Sequence, residues 1–216
     1  MRPRSDRNRI RIWLFIAALG AFILTSGCFT HLSVDRSTPP LIDFRDYQPM
    51  AILPIADVPA HPGSGSNLQR AIQEALEKKK FVLVAPERVG QVLLDLNQTP
   101  QGLLGDPGLL ARFSEASGAK LIVVGALLDY RVQKSYFSSG TSQVWEGAFY
   151  EYQSLPTYHQ GTCQMKVRLR VFEAQKGAGV WLAEGRGGGP SGSREKILRS
   201  LVEDLMKDVP PLSGKK

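Results

Sequence analysis

The run Ala119-Lys120-Leu121-Ile122-Val123-Val124-Gly125-Ala126-Leu127-Leu128 constrains the fold more than any other stretch of the chain. Apart from Lys120 it is uncharged and apolar at both alternating positions, the pattern of a strand that helices cover on both faces. Directly after it the pattern changes. Asp129, Arg131, Gln133 and Ser135 alternate with Tyr130, Val132 and Tyr136, so the same strand is expected to leave the covered region and expose one face. A strand of this kind needs helices to supply its cover, which places the chain in a mixed α/β class.

The surrounding sequence supplies those helices. Met50 to Ile55 is a short apolar run suited to a doubly buried strand, with Pro54 near its end. A loop, ADVPAHPGSGS, leads to a helix at 67–79 carrying Leu68, Ile72, Ala75 and Leu76 at helical spacing. Phe81 to Val84 reads as the next strand. Pro86 opens a second helix, and Asp106-Pro107 opens a third that stops at Gly118. After the central strand, residues 137–162 form an aromatic insert containing Phe137, Trp145, Phe149, Tyr150, Tyr152 and Tyr158, without a clear period. The chain then alternates cleanly, Cys163, Met165, Val167, Leu169 and Val171 against Lys166, Arg168 and Arg170. A turn at 175–179 leads to the strand Val180 to Glu184, and the glycine run GRGGGPSGSR reads as a floppy link. Ser193 can then cap a last helix, expected to carry an apolar stripe from Ile197 to Val209 and to end at Pro210-Pro211. The expected fold is α/β (α+β): a mixed β-sheet flanked by helices, order β-α-β-α-α-β-β-β-α, with the aromatic insert between the third and fourth strands. Residues 50–209 are expected to form a single domain, followed by a tail at 210–216.

Upstream of that domain, Arg2, Arg4, Arg7, Arg9 and Arg11 precede an uncharged run from Ile12 to Gly27. The run is shorter than the roughly 20 residues a membrane-spanning helix needs. It ends in Thr25-Ser26-Gly27-Cys28, small residues before a thiol, which reads as a lipoprotein signal peptide over 1–27 with lipidation of Cys28. The next residues, 28–49, mix charge with prolines and show no sustained period, so they read as a flexible tether. Phe29 after the cysteine, by resemblance to enteric lipoproteins, implies the outer membrane, facing the periplasm; the inner membrane is the alternative.

Charge and cysteine content narrow the function. The precursor's 27 basic and 20 acidic residues give +7, but the first 27 residues hold five of the bases and one of the acids. The mature chain's surplus of three is too small to argue for nucleic acid. With Cys28 lipidated, Cys163 has no intramolecular partner and is expected as a buried core thiol. Gly63-Ser64-Gly65 opens a helix but lacks the further glycine of a dinucleotide fingerprint, and the run from Gly185 lacks a P-loop ending; both read as ordinary loops. His31, His61 and His159 fall in the tether, a loop and the insert, at no metal-ligand spacing from each other or from Cys163. No catalytic residues, no metal ligands and no cofactor are expected. The basic row Lys166, Arg168 and Arg170, beside Trp145, Phe149, Tyr150 and Tyr152 of the insert, is the candidate partner-binding surface.

Four segments carry a resemblance to a known family: AILPIAD at Ala51, KFVLVAPERV at Lys80, SGAKLIVVGALLDY at Ser117 and VRLRVFEAQKGAGVWLAEG at Val167. In this order they resemble the CsgG-like bacterial lipoproteins, a group including the penicillin-binding-protein activator LpoB, whose domain is similar to the N-terminal domain of TolB. The resemblance implies no cofactor and work done by binding other envelope proteins, with homo-oligomers among the options. Two functions follow from it. One is a lipid-anchored, non-catalytic adaptor or accessory factor; the alternative is a subunit of a CsgG-type outer-membrane secretion pore. The pore needs two hairpin insertions per subunit, and only 137–162 is long enough for one. Within a single strand drawn through Trp145 to Tyr152, Glu146 and Glu151 fall on opposite faces, leaving neither cleanly apolar.

Overall fold

The computed structural model describes residues 30–137, 141–146, 149–154 and 158–212, with the backbone alone considered over 134–160. The apolar run lies at the N-terminal end of β3 (Leu121–Phe137), an inner strand. β3 pairs in parallel with β2 (Met50–Ile52) and antiparallel with β6 (Tyr158–Glu173). β7 (Ala178–Pro190) pairs antiparallel with β6, and β1 (His31–Ser37) with β7. The result is a mixed five-stranded sheet in the order β1-β7-β6-β3-β2.

The sequence-derived burial of β3 follows from two separate cores. Leu121 and Val123 belong to one and Ile122 to the other, and all three are wholly buried. The larger core joins the sheet to α1 (Ser64–Lys78) through Leu68, Ile72 and Leu76, and to α5 (Arg194–Leu205) through Ile197, Leu201 and Leu205. On the opposite face, α2 (Pro86–Asp95), α3 (Pro100–Leu104) and α4 (Pro107–Ser117) pack Val92, Leu103 and Phe113 against Ile122 and Ala174. Each of these three helices starts on a proline at its first position. Thr99 and Asp106 cap α3 and α4 by accepting from the N–H groups of Gly102 and Gly108. Gly118, at φ +76°, ends α4 in the left-handed region, its N–H donating to the Ser114 carbonyl.

Three expectations about the five-stranded sheet are corrected. The stretch expected as a tether contributes β1 and a wholly buried aromatic, Phe44, which meets Trp181 edge-on at 6.4 Å. It folds because β7 offers an unpaired edge that seven residues of chain can satisfy. The glycine run from Gly185 forms the second half of β7 as far as Pro190, with residues 185–188 paired on both sides by β1 and β6. Its glycines serve packing: a Cβ on Gly187 would lie 2.9 Å from Ile197 Cγ2, and one on Gly185 2.7 Å from the Ser33 carbonyl. Phe81 to Val84 is reduced to one parallel bridge, Met50 to Leu83, because β2 has only three residues before Pro54 ends its pairing.

The aromatic insert takes on regular structure as a ribbon. β3 and β6 stay paired out to Phe137 and Tyr158, and β4 (Thr141–Glu146) pairs with β5 (Phe149–Ser154). Trp145 stands opposite Tyr150, Glu146 opposite Phe149, and Val144 opposite Glu151. Directly opposed residues share a face of an antiparallel pair. By register Glu146 and Glu151 therefore fall on the same face, which corrects the expectation drawn from a single strand.

Candidate functional site

The helices leave part of the sheet bare. On the face that α2, α3 and α4 cover near β2, the register runs on across β1, β7, β6 and β3 in rows whose side chains belong to neither core. One row is His31, Gly188, Gln164 and Arg131; the next is Ser33, Arg186, Lys166 and Asp129; a third is Arg36, Glu184, Arg168 and Ala126. Beyond these, Leu182 stands beside Arg170. Period-2 alternation produces this face: the partners of these residues on the strands, such as Met165, Val167, Leu169 and Ala183, point into the larger core.

Its electrostatics centre on Glu184. Arg168 Nε donates to Glu184 Oε1 at 2.6 Å, and Lys166 Nζ lies 3.4 Å from Oε2 of the same carboxylate. The hydrogen bond from Arg168 is the main reason that Glu184 titrates below the ordinary glutamate range, against the opposing effect of its partial burial. Arg186 Nε meets Asp35 Oδ2 at 2.8 Å, and Arg131 Nε meets Asp129 Oδ1 at 3.0 Å. Arg170 is exposed and enters no ion pair among the described residues. Counting Arg170 beside the rows and Asp35 at the irregularity of β1, six basic side chains face three carboxylates. The expected row Lys166, Arg168 and Arg170 is thus in place, but two of its three charges share one counter-ion.

Two grooves mark the bare face. One, of about 330 Å³, is apolar and lies among Leu41, Phe172, Val180 and Leu182, with Arg170 and Thr38 on it. The other, of about 570 Å³, lies at the His31 end among His31, Ser33, Asp129, Gln164, Lys166 and Arg186. Gly188 gives that groove its floor, since a Cβ there would come no closer than 3.4 Å to its nearest neighbour, the Cys163 carbonyl.

The other candidates are placed as follows. Trp145, Phe149, Tyr150 and Tyr152 lie on the β4–β5 hairpin, and Cys28 lies outside the described residues. The Gly63-Ser64-Gly65 loop is pinned from within: Asp57 accepts from the N–H groups of Gly63 at 2.9 Å and Gly65 at 2.7 Å. Those bonds hold the Asp57 carboxyl below its ordinary range, and they fill with the chain's own anion the place where a phosphate would sit. Gly65 is required there, because a Cβ would lie 2.2 Å from the Ile55 carbonyl oxygen. His61 stacks edge-on against Tyr130 at 4.8 Å. Cys163 is wholly buried, and burial pushes its thiol up. Among the described residues no three His, Cys, Asp or Glu side chains gather so as to hold a metal ion, and no helix is long and apolar enough to cross a membrane.

Sequence reasoning missed Glu184, Arg186 and Asp35 as parts of this surface. Leu32 and Val34 alternating with Ser33 and Asp35 was the available signal for β1, too short to stand out before the edge of β7 was known.

No protein-family model matches the chain, and no curated protein matches it. Solved structures do. The PelC dodecamer from Paraburkholderia phytofirmans is 16% identical, with a TM-score of 0.51 over 85% of this chain and 99% of that one. Lipoprotein GNA1162 from Neisseria meningitidis is 10% identical, with a TM-score of 0.50 over 74% of this chain and 96% of that one. At those identities the likeness is one of fold. The C-terminal domain of LpoB from Salmonella enterica, 12% identical over 63% of this chain and 79% of that one, gives a TM-score of 0.38, too slight to carry an argument.

Proposed function

We propose that this chain is a lipid-anchored protein of the bacterial envelope, facing the periplasm from the outer membrane, that works as a non-catalytic adaptor and self-associates. The bare sheet face carries this reading: four strands present rows of charged and polar side chains with a net basic surplus, built on a rigid scaffold and left open by the helices. Such a surface suits recognition, since its charges are already ordered and lose little further freedom on binding. The lipid on Cys28, left as the first residue when the signal peptide at 1–27 is removed, supplies the anchor. Support for the setting and for self-association comes from the shared fold, one member of which is a lipoprotein and another a dodecamer.

The pore reading differs in one observable part. Between β6 and β7 the chain has only the tight turn 174–177, with no second insertion, and a barrel must close without edges. The experiment reconstitutes the purified lipidated protein in planar bilayers and sizes it in detergent. A silent bilayer with a discrete oligomer fits the adaptor. Stepwise conductance from that oligomer makes the chain a pore subunit.

A further inference from the structure

The distance between anchor and fold is short. β1 begins at His31, three residues after Cys28, and three peptide units reach at most about 11 Å. A diacylglycerol on Cys28 places that residue at the base of the headgroup layer, which is roughly 5–8 Å deep in each leaflet. With that lipid on Cys28, the His31 end of the sheet would be held at the membrane surface, and what lies at that end would meet headgroups.

At that end lies the larger groove. His31, Ser33, Asp129, Gln164, Lys166 and Arg186 line it, the Asp129 carboxylate is held by Arg131 at 3.0 Å, and the glycine at 188 keeps the floor open. Its cations are ordered by Glu184 and Asp35, which lie further from the anchor along β7 and β1, and the face as a whole keeps a basic surplus. The backbone of the β3–β6 ribbon continues past the sheet at the same end, from Gln133 opposite Thr162 to Phe137 opposite Tyr158. The opposite end, where Lys120 precedes β3 and the β6–β7 turn lies, is a full strand length away.

We propose that this groove seats the phosphate-bearing headgroups of anionic lipids in the membrane that holds the acyl chains of Cys28, so that the domain stands on its bilayer in one orientation. The proposal rests on the lipidation of Cys28. Lys166 and Arg186 supply the charge, Gln164 and Ser33 the neutral hydrogen bonds, and the three-residue link supplies a high effective concentration of lipid.

The test uses the lipidated protein in vesicles of neutral phosphatidylcholine, with or without anionic phosphatidylglycerol, and reads amine acylation of each lysine by mass spectrometry. Acylation of Lys166 should slow about fivefold in the anionic vesicles, with Lys120 unchanged, as one additional cation–headgroup contact implies. The protection should fade at high salt and be lost in Arg186→Glu. Arg186→Gln, a milder change with its thermal transition checked, should lose part of it. Equal rates for Lys166 in both vesicle types overturn the proposal; strong protection in both assigns the groove to a second copy of the chain. A failure of lipidation is visible separately, as protein that does not float with the vesicles.

Discussion

At the residue scale, two glycines make opposite predictions from one kind of measurement. Gly65 sits where a Cβ would fall 2.2 Å from the Ile55 carbonyl oxygen, so Gly65→Ala must push α1 from the loop that Asp57 ties to it. A loss of about 1–3 kcal/mol is expected in urea unfolding. Gly90, inside α2, has open space around its missing Cβ. Gly90→Ala should stabilise by about 0.4–1 kcal/mol, because it restricts the unfolded chain. Glu184 predicts a pH dependence. Its folded-state pKa is lowered by Arg168 and Lys166, so its contribution is complete above the ordinary glutamate value of about 4.3 and is lost as pH falls through the lower folded value. The difference in melting temperature between the natural protein and Glu184→Gln should be constant near neutrality and shrink below about pH 4.3. A difference that grows on acidification would contradict the assigned ion pairs. Cys163, wholly buried with its thiol pushed up, should resist alkylation until the protein is denatured.

At the element scale, the ribbon is separable from the sheet. β3 and β6 pair over Leu121 to Gln133, and within that stretch Leu121, Val123, Val167 and Leu169 fill one core and Ile122 the other, so replacing residues 138–160 with a short Gly-Ser turn should leave a cooperative thermal transition. Loss of that transition would place the aromatics in the fold. The same elements explain how far the sequence could be read. The apolar run of β3, the alternation of β6 and the stripe of α5 were legible because burial on two faces, one face or one stripe leaves a distinct period in each. β1 was not, since an edge strand of seven residues with Asp35, Arg36 and His31 resembles a charged linker until β7 is there to pair with it. The glycines of β7 were misleading for a related reason. Gly185 and Gly187 are small because α5 approaches closely, and close approach leaves the same letters as flexibility. Of the candidate site, Lys166, Arg168 and Arg170 were legible as one face of a strand; their shared counter-ion Glu184 was not, because cross-strand pairing depends on register that the sequence does not spell out.

At the scale of the whole molecule, the proposed anchor at Cys28 stands only three residues before the first strand in the sequence. β1 begins at His31, and under the proposed lipidation that entry is what would orient the bare basic face and the β3–β6 ribbon. The proposed adaptor, if held in this way, works beside its bilayer and does not search the periplasm on a long tether. All of this depends on the lipid. The direct measurement is the intact mass of the membrane-extracted protein, alongside radioactive palmitate labelling of the natural chain and of Cys28→Ser. The account predicts a polypeptide that begins at Cys28 and carries diacylglycerol, with labelling abolished in Cys28→Ser. A chain that still begins at Met1, or labelling undiminished by the substitution, would contradict it.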